Sequence, residues 1–289
     1  IIALLRQLMT QIAPDGQECL DGTRFLDWPS NSNKDAIAAG LQALMVWGMR
    51  VGVEFAELFK DRQLSNDCKA AEKKLVKAAS RVYKKFLASC PAPDAPGSKQ
   101  VAALMAITGL IDAPKADKEF LSINGAQGFS TFYGYYMLEA MAAAGNFQGA
   151  LDVIREYWGA MIDLGATSFW EDFDINWIPN AAPIDELVPE GKKDIHGDCG
   201  AYCYVGFRHS LCHGWASGPT SWLSRHILGV EVLEPGCRQV RITPHLGDLQ
   251  WVKGTFPTPY GEIQIYHERQ ANGNVISEVK APKEVSVIK

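Results

Sequence analysis

The stretch Pro219-Thr220-Ser221-Trp222-Leu223-Ser224-Arg225-His226-Ile227-Leu228-Gly229, continuing through Val230 to Val240-Arg241-Ile242, is where the chain changes its hydrophobic period. Up to Leu228 the spacing predicts a short helix over 219–228, and Gly229 follows as its stop. Beyond it the period falls to two, with Val240 and Ile242, then Ile263 and Ile265, alternating with polar neighbours. Asn272-Gly273 is a hairpin signal within the same segment. Residues 230–289 are therefore expected to form a small antiparallel β domain, and residues 1–229 a helical one.

Upstream the helical period dominates. Ile37, Leu41, Leu44, Val51, Phe55 and Leu58 recur at steps of three, four or seven and predict one apolar stripe over 36–59. Ser32 and Asn33 stand in front as caps, with Asp35 in the first turn. Leu75, Val82 and Phe86 mark a second helix over 66–89, proline content marks 91–97 as a loop, and a shorter helix is expected over 99–110. A helical hairpin follows, 129–144 then 147–163, turned at Gly145-Asn146 and closed by Gly165. Residues 170–209 form a long excursion rich in Asp, Asn, Pro and Gly, whose aromatic residues Trp170, Phe173, Trp177 and Phe207 argue against disorder.

Composition narrows the function classes. Of 289 residues 47% are apolar, 10% aromatic and 21% charged, an ordinary globular balance. A net charge of −5 without a polybasic block argues against nucleic acid as partner. No apolar run is expected to reach the length of a membrane span. Seven cysteines without a CxxC pair suggest buried thiols rather than zinc or a disulfide framework. Among the histidines only His209 and His213 have helical spacing, and no HExxH-type glutamate accompanies them, so no metal is expected.

Two segments carry chemistry. In Gly165-Ala166-Thr167-Ser168-Phe169-Trp170-Glu171-Asp172-Phe173-Asp174 acids stand among aromatic rings. Such a mixture suits a pyranose, whose C–H faces stack on rings while its hydroxyls seek carboxylates. Acids so close together also oppose one another's ionisation, which lets their roles diverge. A plain acidic loop at a helix end is the competing reading. In Ser210-Leu211-Cys212-His213-Gly214-Trp215-Ala216-Ser217-Gly218, a histidine precedes a Gly/Ser turn that opens a helix. A lone histidine is more often a satisfied structural residue than a ligand.

These segments, in order with LEPGCRQVRITPHLGDLQWVKGTFPTPYGEIQI further on, resemble the C-terminal half of the α-L-rhamnosidases of glycoside hydrolase family 78. The resemblance covers about 129–289 well and the earlier helices in less detail. It implies (α/α)6-barrel helical hairpins, an incomplete barrel in this chain, followed by a β domain. It places Glu171 on the GxTxxWE glutamate, the family's general base, and His213 on the histidine lining the sugar subsite. Asp27-Trp28 in FLDWP resembles the DW pair of the same pocket, and Trp170 and Trp215 are the further candidates for sugar contact. The reaction it implies is inverting hydrolysis of terminal α-L-rhamnosides, with no metal or cofactor. Two carboxyl groups roughly 6.5–9.5 Å apart then flank the bond and the water.

The family's general acid is a glutamate in an acidic, Arg-containing motif well upstream of DW, and no such motif lies between Ile1 and Asp27. Alone, this chain is therefore expected to be inactive, with its general acid in a missing N-terminal part of the same polypeptide. Asp194, His196 and Asp198 have no family role. Two alternatives remain: a catalytically inactive carbohydrate-binding homologue, or an (α/α)6 glycosidase acting on another sugar. The resemblance implies a periplasmic or secreted protein, binding a rhamnose-containing glycoside or polysaccharide.

Overall fold

The computed structural model describes residues 1–90, 92–195 and 209–288. His196, Asp198, Phe207, Cys199 and Cys203 lie outside them. Helix α1 (Ile2–Thr10) precedes a long antiparallel pair, α2 (Lys34–Leu58) and α3 (Arg62–Ser89). Asn33 and Asp61 cap the two long helices, each side chain accepting a backbone N–H at 3.0 Å. Then come α4 (Ser98–Ile107), the single turn α5 (Ala113–Ala116), α6 (Gly134–Ala143), α7 (Phe147–Val153) and α8 (Gly159–Asp163).

The buried face of α2 is displaced from the expected stripe. Ile37 and Leu41 are buried, but Met45, Val46, Met49 and Ala56 continue the face, while Leu58 is 71% exposed. The displacement arises because α2 packs on α3 along one side and on α4 along another, so no single stripe describes it. By length and composition α2 could cross a membrane, which corrects the expectation that no segment could. Its most apolar window is 61% buried inside the protein, as in a core helix.

The hairpin of α6 and α7 turns where expected. Gly145 has φ +78°, and Gly145 and Asn146 return their N–H groups to Ala142 and Met141. The Asn146 side chain then caps α7 by accepting from Gly149 at 2.9 Å. Helix α6 begins at Gly134 rather than near 129, because 129–133 is spent in turns. A π-helical turn at Ile154–Trp158 joins α7 to α8 without a break, so 147–163 is one helical rod. The last helix, α9 (Gly218–Trp222), likewise runs into a π turn, Leu223–Ile227.

Gly229, with φ +74°, is the hinge between helices and strands. A side chain there would put its first carbon 2.3 Å from the carbonyl carbon of Thr243. The excursion holds the two-residue strands β1 (Ala181–Ala182) and β2 (Lys193–Asp194). Beyond Gly229 come β3 (Val230–Val232), β4 (Gln239–Ile242), β5 (Trp251–Thr258), β6 (Gly261–Arg269), β7 (Val275–Lys280) and β8 (Ser286–Ile288). They form two three-stranded sheets, β3-β4-β8 and β5-β6-β7. All these pairings are antiparallel except β4 with β8, which is parallel. A small separate core of Val230, Val240, Ile242, Ile263 and Ile265 lies between the sheets. Of the described cysteines, Cys68 and Cys90 are buried, but Cys19 and Cys212 are exposed, which corrects the reading of all as buried thiols.

Candidate functional site

Glu171 and His213 are brought together by backbone pairing between two distant segments. Glu171 N–H donates to Ser210 O at 2.8 Å, and His213 N–H to Phe169 O at 2.7 Å. Ser210 N–H returns a hydrogen bond of 2.8 Å to Glu171 Oε2. The carboxylate is thus gripped by the segment that carries the histidine. His213 Nδ1 lies 3.8 Å from the same oxygen, beyond hydrogen-bond length, with the two side chains 30% and 11% exposed.

Indole and hydroxyl groups fix the backbone of Glu171. Trp215 Nε1–H donates to its carbonyl at 2.9 Å, and the Thr131 hydroxyl donates to the same oxygen. The Trp215 ring lies 4.2 Å from His213 and 5.5 Å from Trp28, centroid to centroid. Glu171, His213, Trp215 and Trp28 are therefore one cluster, built at the N-terminal ends of α2, α6 and α9. The Trp215 ring also borders a cleft of about 860 Å³, with Phe132 and Tyr136 on the helical wall and Val232 and Phe256 opposite. Such a mixture of flat apolar walls and a few polar groups is the usual make-up of a small-molecule site.

Two expected contact residues are elsewhere. Trp170 is fully buried, edge-on to Phe173 at 6.0 Å in the main core. It has no face to offer a sugar and instead supports the Glu171 loop from beneath. Alternation explains this: adjacent side chains of an extended segment point opposite ways, so Glu171 faces out where Trp170 faces in. Asp27 is also enclosed, at 1% exposure. Its carboxylate accepts from Ser130 Oγ at 2.7 Å, Gln100 Nε2 at 2.9 Å and Trp28 N–H at 3.0 Å. It holds the Trp28 turn against α4 and the start of α6 and does not line the surface.

Burial raises the Asp27 carboxyl above its ordinary value, with the Ser130 and Gln100 donors opposing. A carboxyl raised by folding gives stability that is complete below 3.8 and lost as pH rises through the folded value. Asp27→Asn cannot ionise and should escape that loss. The unfolding free energy of the variant minus that of wild type should then climb with pH across this window. Urea melts over a pH series check it, and a flat or falling difference is the contrary result.

Of the remaining acids, Asp174 is spent as a cap, accepting from Asn176 N–H at 2.9 Å. Asp172 is buried. Asp194 lies in β2, which pairs with β1 on the excursion. His209 is buried beside Trp177. Sequence reasoning missed Thr131, Ser210, Gln100 and Ser130. Their roles depend on contacts across 39 to 103 residues, which no local pattern signals.

Residues 229–288 match the bacterial alpha-L-rhamnosidase C-terminal domain family. The match is confined to the β segment. No curated protein matches the chain. Solved rhamnosidases share the fold of both the β segment and the helices before it. The GH78 family rhamnosidase of Bacillus sp. GL1 superposes with a TM-score of 0.69 at 20% identity, over 99% of this chain and 29% of its own. The Streptomyces avermitilis alpha-L-rhamnosidase complexed with L-rhamnose gives 0.68 at 19%, over 99% of this chain and 26% of its own. The Aspergillus terreus enzyme gives 0.66 at 16%, over 91% and 29%. The chain thus spans less than a third of the length of each of these structures, at their C-terminal region, with the segment that matches the C-terminal domain model at its end.

Proposed function

We propose that this chain is the C-terminal part of a glycoside hydrolase that removes terminal α-L-rhamnose with inversion, and that Glu171 is its general base. The observation that carries the reading is the Glu171 carboxylate, held by Ser210 N–H at 2.8 Å beside the His213 ring. The fold shared with rhamnosidases supports the sugar class. In this mechanism the Glu171 carboxylate takes a proton from a water as that water attacks the anomeric carbon. The carbon–oxygen bond to the leaving group breaks on the opposite face, where a carboxylic acid supplied from elsewhere in the complete enzyme protonates the departing oxygen. His213 and Trp215 hold the sugar so that the water lies in line, and Trp28 offers an apolar wall to the 6-methyl group. Since a polymeric rhamnoside does not cross an intact membrane, export to the periplasm or beyond belongs to the same proposal.

The test is the configuration of the first product. The complete enzyme acting on an aryl α-L-rhamnoside should release β-L-rhamnose, read by proton NMR before mutarotation. Early appearance of the α anomer would make the mechanism a retaining one and remove the general-base role. Cleavage of other aryl glycosides in place of the rhamnoside would move the proposal to another sugar.

A further inference from the structure

The sheet β5-β6-β7 turns one face toward the small β core and leaves the other open. Its register fixes what the open face presents. One row pairs Trp251 with Glu268 and Glu268 with Ile276, and Trp251 is 60% exposed. The next row is Lys253, Tyr266 and Glu278. Thr255, Gln264 and Lys280 make the third. The second and third rows line a shallow trough of about 700 Å³, with Trp251 one row beyond. Glu262, opposite Pro257, also lies on this face, and with Glu268 and Glu278 it stands among Lys253 and Lys280, so both signs are interspersed there.

We propose that this open face is a second carbohydrate-binding surface, which takes a neutral, hydroxyl-rich glycan. Two aromatic rings on diagonal positions of adjacent strands give platforms for the C–H faces of sugars. Around them Lys253 and Lys280 donate, Glu268 and Glu278 accept, and Gln264 does both, the inventory a polyol needs. An anionic polymer would meet the three glutamates, and a cationic one the two lysines. A strand from another protein would add at a sheet edge, whereas here the offered surface is a face. The kind of glycan, a rhamnose-bearing one, rests on the proposed function; binding at the face does not.

Affinity electrophoresis of this chain tests it, with a neutral rhamnose-branched polysaccharide in one gel and polygalacturonate in another. Retardation is expected in the first gel only. Trp251→Ala and Tyr266→Ala should each weaken it about 5- to 10-fold, the worth of one aromatic platform. Their thermal midpoints should match wild type, which shows that both variants fold. Wild-type mobility in both gels, retardation by polygalacturonate alone, or undiminished retardation of Trp251→Ala would each overturn the proposal. Hydrolysis is read separately in the complete enzyme. Retardation without rhamnosidase turnover would sink the proposed function and keep this surface, and turnover without retardation the reverse.

Discussion

Glu171→Gln in the complete enzyme is expected to lower kcat by about 10²–10⁴-fold, the usual worth of a general base. The amide is nearly isosteric and can still accept from Ser210 N–H, so the pairing of the two segments should survive and KM should change little. That pattern, a loss confined to kcat, is the signature of a group acting in the transition state more than in binding. Asp172→Asn and Asp174→Asn are the controls. Asp174 is committed to its cap and Asp172 is buried, so neither variant should approach the Glu171 effect. Steady-state kinetics on an aryl rhamnoside check all of them. A Glu171→Gln enzyme within a few-fold of wild type would return the base to some other carboxylate.

Trp170→Ala should cost about 3–5 kcal/mol of folding stability, the range for emptying a large aromatic site in a core. Trp170 is among the largest fully buried side chains and packs against Phe173, whose ring in turn meets Tyr157 at 5.2 Å. That rod of helix is tied to the Glu171 loop by these rings and by the Tyr157 hydroxyl, which donates to the Phe173 carbonyl, and a cavity there has few ways to collapse. A loss of this size on a large mixed fold should appear as a lower urea midpoint with little change in slope. If Trp170 lay against a sugar instead, alanine would spare stability and raise KM. The two outcomes separate cleanly.

What could be read beforehand follows from range. The helix caps at Asn33, the stop at Gly145 and the change of period at Gly229 are local, and each has a residue whose chemistry dictates it. The failures are of another kind. Trp170 and Glu171 stand side by side in sequence, and only the docking of 210–213 decides which of them faces out. Asp27 reads as a site carboxylate until Gln100 and Ser130, far along the chain, close over it. The parallel pairing of β8 with β4 leaves no trace in alternation, since both pairings share the period of two. The π turns at 154–158 and 223–227 also keep the helical pattern nearly intact.

The backbone pairing that grips Glu171 spans a gap of 39 residues to Ser210. The cost of closing a loop grows only with the logarithm of its length, about 0.6 kcal/mol for each doubling. Anchored at both feet, the intervening chain can change at its exposed stretch, residues 185–193, while Phe173, Ile175, Ala181 and Ile195 remain buried in the core. That exposed stretch is thus a part of this molecule that evolution, or an engineer, can rewrite without moving the Glu171 carboxylate.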